Sequence, residues 1–255
     1  MLVKEVPDTW GDRRIDPATK RVDRSSDEVV DEVNEKAVEI ALQVQAANPG
    51  SEVTVVTMGP KTSLDGLRKG LAMGADSAIH LIDDSLVGSD AVQTSAALAA
   101  ALAPRGFDLV IAGNESTDGR TAAVPAMLAE RLNVAQLTNL HALTVTGTEI
   151  TGERTTEDGY VAVAAKLPAV VSVTEQIAEA RYPSFKGIMS AKKKPIETLS
   201  VADLGLDAAD TGADHSWSVV LEVVPRPARS GGTVITDDGT AGTQLADYLA
   251  AAKLI

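Results

Sequence analysis

Two periods alternate along the first half of the chain. MLVKEV (1–6) reads as a short strand, and residues 27–47 place apolar side chains at helical spacing. EVTVVTMG (52–59) is a β-branched run that stops at Gly59-Pro60, and SLDGLRKGLAMGA (63–75) is a helix that Gly74 ends. SAIHLI (77–82) is the next strand. SDAVQTSAALAAALAPRG (89–106) is a helix with Ser89 or Asp90 as N-cap, closed between Pro104 and Gly106. FDLVIAG (107–113) is a buried strand, and the segment from Asp118 to Leu132 is the helix after it, beginning near Asp118 to Thr121. Strands alternating with such helices make right-handed βαβ units on a parallel sheet, and the continuous apolar strands fit a sheet covered on both faces. Ligands of such sheets sit at the carboxyl ends of the strands, here the loops after Val6, Thr57, Ile82 and Ala112.

The second half changes character. Residues 136–176 read as short strands with turn signals at Gly147 and Asp158-Gly159, expected to add antiparallel to the same sheet or its edge. Residues 204–240 carry scattered Pro, Gly, Asp and Ser and suggest an extended arm, and TQLADYLAAAKLI (243–255) is an amphipathic helix. The expected organisation is a domain over 1–203 and an arm and helix over 204–255. The latter either packs on another chain or folds back on its own domain.

Composition removes several function classes. The 255 residues include no cysteine, which excludes disulfides, cysteine-ligated metals and thiolate nucleophiles within the chain. The formal net charge of −13 argues against general nucleic-acid binding. No apolar run approaches the roughly 20 residues of a spanning helix, and the first residues lack the apolar core of a signal peptide, so a soluble cytoplasmic protein without membrane insertion is expected. His80, His141 and His215 lie in different elements without metal-ligand spacing, and His80 reads as a packed strand residue. No set of catalytic groups stands out, which points to a protein that binds and carries rather than catalyses.

The strongest site signal is AGNESTDGRTAAVPAMLAERL (112–132). A strand ends at Gly113, and a polar loop leads to a helix whose first N–H groups could hold a phosphate, with hydroxyls from Ser116 and Thr121 and charge from Arg120. The same loop also reads as an ordinary capped turn. TMGP (57–60) is a second strand end, where Gly59 permits close backbone approach. RYPSFKGIMSAKKKP (181–195) concentrates Arg181, Lys186, Lys192, Lys193 and Lys194, with no acid, in an acidic chain, and adds Tyr182 and Phe185 from only seven aromatic residues.

LPAVVSVTEQIAEARYPSFKGIMSAKKKPIETLSVADLG (167–205) resembles the signature region of the electron transfer flavoprotein β subunit, and the wording of DLVIAGNESTDG (108–119) and PSFKGIM resembles its actinobacterial, nitrogen-fixation-associated branch. VKEVPDT (3–9), NEKAVEIAL (34–42) and LAMGAD (71–76) before AIHL match in order, so the resemblance spans nearly the whole chain. It implies a Rossmann-like α/β core: a mainly parallel sheet with flanking helices, added antiparallel strands, and a C-terminal arm with a terminal helix. It implies a heterodimer with an α subunit that carries most of the FAD and on which the arm and terminal helix over 204–255 are expected to pack, and an AMP of structural role in the β subunit. Such heterodimers take electrons from flavoprotein dehydrogenases such as acyl-CoA dehydrogenases, in fatty acid oxidation, and pass them to a quinone-reducing acceptor.

The resemblance places the AMP contacts at Leu2; at Asp31, Glu32, Val33 and Asn34; at Met58 with Gly59; and along Gly113, Asn114, Glu115, Ser116, Thr117, Asp118, Gly119, Arg120, Thr121, Ala122, Ala123 and Val124. Asp31 stands where relatives have Asn, Val33 where they have an aromatic, and GRTAAVP (119–125) where they have GDTGQVG. The first strand begins several residues short of theirs, so it is expected to be clipped or its start misplaced. Segment 181–195 corresponds to the loop that anchors partner dehydrogenases, with Phe185 in place of a pocket-filling leucine and Tyr182, Lys186, Ile188, Met189, Lys192 and Lys193 around it. Two rival readings remain at this point: an electron-bifurcating subunit holding a second FAD and using NADH, and a stand-alone adenine-nucleotide sensor.

Overall fold

The computed structural model describes all residues except Asp12, Pro225, Arg229 and Ser230. In chain order the strands and helices begin with β1 (Glu5–Pro7), β2 (Ile15–Asp16), β3 (Arg21–Val22), β4 (Glu28–Val30), α1 (Glu32–Ala47), β5 (Thr54–Met58), α2 (Leu64–Met73), β6 (Ser77–Leu81), α3 (Ala91–Leu102) and β7 (Leu109–Gly113). They continue with α4 (Val124–Leu132), β8 (Ala135–Thr146), β9 (Glu149–Thr156), β10 (Gly159–Lys166), β11 (Ala169–Val173), α5 (Phe185–Ala191), β12 (Ile196–Leu199) and α6 (Ala241–Ala251). The chain forms two compact units, Met1–Leu221 and Glu222–Ile255.

Two parts of one sheet are joined by the first three residues. β12, β6 and β5 run parallel side by side, as do β7, β11 and β8. Between β5 and β7 lies Met1–Val3. The Leu2 N–H donates to the Ile111 carbonyl of β7 (2.9 Å), and the Val3 N–H donates to the Val56 carbonyl of β5 (2.9 Å). The Val56 N–H returns a bond to the Met1 carbonyl (2.8 Å). The resulting order is β12-β6-β5-(1–3)-β7-β11-β8-β9-β10, with β9 and β10 antiparallel at the edge.

Alternate side chains of the central strands enter opposite layers. Val3, Val55, Ile111 and Val171 join a core with α1 and α2, while Leu2, Val56, Val110 and Val170 join one with α3 and α4. This is a doubly wound parallel sheet, and it explains the continuous apolar runs. Val201 is buried in the second layer, with Leu204 and Leu206 packed against it, so the chain past β12 returns to this core.

Four expectations are corrected. MLVKEV is not one strand: the Lys4 N–H bonds the Asn34 Oδ1 (2.8 Å), which breaks the ladder, and β1 turns away to pair antiparallel with β4. Residues 27–47 are not one helix, because Val29 and Val30 are taken by that pairing and α1 starts after the Asp31 cap. β11 runs parallel between β7 and β8 rather than antiparallel, and all five of its residues are buried, as a strand covered on both faces requires. The helix after β7 begins at Val124, not near Asp118 to Thr121. Arg120 and Ala122 have φ of 49° and 54°, outside the right-handed helical region. The final helix spans Ala241–Ala251 and buries none of its residues.

Candidate functional site

The strand order reverses between Met1–Val3 and β7, which makes their carboxyl ends the switch point where a doubly wound sheet leaves a crevice. Three groups meet there: the start of α1, the end of β7 and the loop 114–123. Gly113 is required for this meeting, since a Cβ would lie 2.5 Å from Asn34 Nδ2 and 2.7 Å from Val33 Cγ1. On the neighbouring strand, the Gly59 N–H bonds the Leu81 carbonyl (3.0 Å), and the Gly59 carbonyl meets the His80 Nε2 at 3.0 Å. His80 is therefore a packed residue holding a strand end, as its sequence context suggests.

Loop 114–123 is clasped from two sides. The Asp31 carboxylate, fully buried, accepts from the Thr117 N–H (2.7 Å) and hydroxyl (2.9 Å) while its other oxygen caps α1 at Val33. The Asp118 carboxylate is almost fully enclosed, accepting from Lys4 Nζ at 2.7 Å and pairing with the Arg24 guanidinium. Arg24 also pairs with Glu28 (2.5 Å) and donates to the Glu5 carbonyl (3.2 Å). Arg13 donates to the Thr117 carbonyl, and Lys4 Nζ also meets the Ser116 hydroxyl at 3.2 Å. Arg120 reaches outward to Glu115 at 3.0 Å. Burial alone would raise the Asp118 pKa, but Lys4, the Ser116 hydroxyl and Arg24 overcome it and hold the carboxyl at about 2.

Past this clasp the loop leaves donors free. Among the described residues, the N–H groups of Thr121, Ala122, Ala123 and Val124 have no hydrogen-bond partner. The backbone alternates in hand, with φ of 49° at Arg120, 54° at Ala122 and −104° at Ala123. Such alternation turns successive N–H groups toward one concavity, a setting for an anion.

The structure thus brings together Asp31, Val33, Asn34 and the loop from Gly113 to Val124, with Met58 and Gly59 ending the next strand but one from β7. Glu32 is exposed on the first turn of α1, and the Leu2 side chain is spent in the core, which leaves its main chain at the crevice. Lys4, Arg13 and Arg24 escaped the sequence reading. No local pattern marks them, because their partners in the loop lie about a hundred residues away.

The profile of the electron transfer flavoprotein domain matches residues 19–204. The chain is 49% identical to the electron transfer flavoprotein subunit beta of Mycobacterium tuberculosis, covering all of this chain and 98% of that protein. It is 35% identical to the protein of that name from Megasphaera elsdenii, over 100% and 98% of the two chains. It is 36% identical to the caffeyl-CoA reductase-Etf complex subunit CarD of Acetobacterium woodii, over 98% and 95%. The chain belongs to the electron transfer flavoprotein family.

A second feature of this electron transfer flavoprotein chain is segment 181–195. It folds as the short helix α5, capped by the Ser184 side chain on the Gly187 N–H (3.0 Å). Gly187 lies against α2 so closely that a Cβ would collide with the Ala72 carbonyl. Two of the five cations are structural: Arg181 grips the Glu39 carboxylate of α1 (2.6 and 2.9 Å), and Lys194 donates to carbonyls at the end of α2. Lys186, Lys192 and Lys193 are exposed, and so are Tyr182 (96%), Phe185 (80%), Ile188 and Met189. Asp83, at the end of β6, accepts from the Ser85 and Val201 N–H groups. No helix among the described residues is long and apolar enough to cross a membrane.

Replacing Asp118 with Asn tests the clasp. The folded pKa lies below the ordinary value of 3.8, so the stabilisation is present above about pH 4 and is lost as pH falls toward 2. After screening by the half-exposed Lys4 and Arg24, the neutral-pH difference is expected at about 1–2 kcal/mol. Urea unfolding at several pH values should show the gap between the two proteins closing from pH 4 to 2; a gap independent of pH would contradict the assignment.

Proposed function

We propose that this chain is the β subunit of a heterodimeric electron transfer flavoprotein. It takes electrons from flavoprotein dehydrogenases, acyl-CoA dehydrogenases among them, and passes them toward a quinone-reducing acceptor. The observation that carries the nucleotide part of this reading is the row of four unpartnered N–H groups from Thr121 to Val124 at the switch point of the sheet. Those donors, the nearby Ser116 and Thr121 hydroxyls and the short reach between Gly113 and Val33 suit the phosphate of a small nucleotide such as AMP. Asp31 does not oppose this reading, because its carboxylate is occupied by Thr117 rather than aimed at the crevice.

The FAD carried mostly by the α subunit supplies the one- and two-electron chemistry. This chain contributes the scaffold, the nucleotide cradle and the docking face. The exposed pair Tyr182 and Phe185, next to three free lysines in an acidic chain, fits an apolar anchor with a basic rim for a dehydrogenase.

Purifying the heterodimer and measuring FAD and AMP released on denaturation should give one of each. Two FAD and no AMP would move the protein to the bifurcating class with NADH as reductant. A stable lone chain that binds AMP reversibly would make it a nucleotide sensor. Phe185→Ala should lower the rate of electron acceptance from a dehydrogenase about tenfold while flavin content stays constant; equal rates in the two proteins would remove the docking assignment.

A further inference from the structure

Segment 181–195 has almost no core of its own. The chain leaves the core at Ala180 and rejoins it at Ile196, and among residues 181–195 only Ala191 is buried. Burial alone therefore does little to fix where α5 stands, and its seven residues are too few to hold a helix by propensity. Polar anchors on each side take over that task.

The entry to the segment is held from α1. Glu39 is only 6% exposed, and its carboxylate oxygens receive the Arg181 Nε (2.6 Å) and Nη2 (2.9 Å) as a bidentate pair. The Arg181 main-chain N–H donates to the same carboxylate (3.3 Å), and the Gln43 Nε2 holds its Oε1 from the next turn (2.9 Å). The hydrogen bonds of Arg181 outweigh burial and keep the carboxyl below its ordinary value, so the pair is ionic at neutral pH. The exit is held from α2. Lys194 Nζ donates to the carbonyls of Leu71 (3.2 Å), Gly74 (3.3 Å) and Ala75, where the dipole of α2 ends negative. In return, Arg68 of α2 donates to the carbonyls of Ala191 and Lys194 (3.2 Å for the latter).

We propose that the Glu39–Arg181 pair, opposed by Lys194 on the end of α2, sets the position in which Phe185 is presented, so that Glu39 is a positioning residue for electron acceptance. This rests on the docking reading of segment 181–195 and states what holds that segment in place. Phe185, Ile188 and Met189 are exposed and spaced at helical intervals along α5, so they form one apolar stripe that shifts as a unit when the helix shifts. A stripe held in place before contact leaves less to order on binding. Glu39 itself is enclosed by its own chain, so its effect on a partner passes through Arg181.

The flavin-loaded heterodimer, assayed at varied concentration as the electron acceptor of a flavoprotein dehydrogenase, tests the proposal. Glu39→Gln and Arg181→Gln should each raise the KM for the heterodimer about fivefold with kcat unchanged, and the double variant should be no worse than either alone. Arg181→Lys, which keeps the charge and loses the bidentate grip, should show most of the same rise. The signs separate positioning from direct charge attraction. Glu39→Gln makes the docking face more positive and Arg181→Gln makes it less so, and attraction to an acidic partner therefore moves the two KM values in opposite directions. Opposite shifts, or no shift in either variant beside an impaired Phe185→Ala, overturn the positioning role and leave the docking reading standing. A fall in kcat or a loss of flavin alongside the KM rise makes the pair a fold contact only and also overturns it. An unimpaired Phe185→Ala overturns the docking reading itself.

Discussion

The hydrogen bonds of Leu2 and Val3 to Ile111 and Val56 are the constraint on which the site depends. They join a three-stranded and a five-stranded sheet into one, and they place the reversal of strand order between residues 1–3 and β7. The alternation of Leu2 and Val3 between two cores fixes that register, since a slip of one residue would exchange their faces. The ladder then stops because the Lys4 N–H goes to Asn34. Where the ladder stops the crevice opens, and the Lys4 side chain reaches into the loop that closes it.

Helix α1 links loop 114–123 to segment 181–195. Its first turn carries the Asp31 clasp on Thr117, and two turns further on Glu39 holds Arg181 just before helix α5. Lys36 between them donates to the Glu175 carbonyl (2.8 Å), in the segment that leads out of β11. Loop 114–123 and segment 181–195 are thus fastened to one helix of 16 residues. Under the proposed function, a nucleotide that orders loop 114–123 would steady the same helix on which segment 181–195 rests.

Much of this was legible in the sequence where local pattern and burial agree. The βαβ half was readable because its strands are buried on both faces and helix ends are marked at Asp90 and Gly74, and the loop after Ala112 marks itself by a strand ending in glycine. Most of the misreadings share one cause, the claim of distant partners on local groups. Val29 and Val30 sit in a helical rhythm, but β1 takes them into a strand. Asp118 is a good helix cap by type, but Lys4 and Arg24 take its carboxylate, and the helix waits until Val124. β11 looked like one more strand of an antiparallel series, although its uninterrupted apolar run was the sign of a parallel, doubly covered position. The same distance effect hid Arg13 and Arg24, which come from an excursion between residues 8 and 27 with no periodicity of its own.

The central claim is that a phosphate is held by main-chain donors at the switch point, behind a loop locked by Asp31 and Asp118. A crystal structure of the heterodimer purified with its native nucleotide tests it most directly. The account predicts phosphate oxygens about 2.7–3.2 Å from the N–H groups between Thr121 and Val124, with Thr117 still bonded to Asp31. A phosphate bound elsewhere, or a loop released from Asp31 and Asp118 with the nucleotide in place, would contradict it.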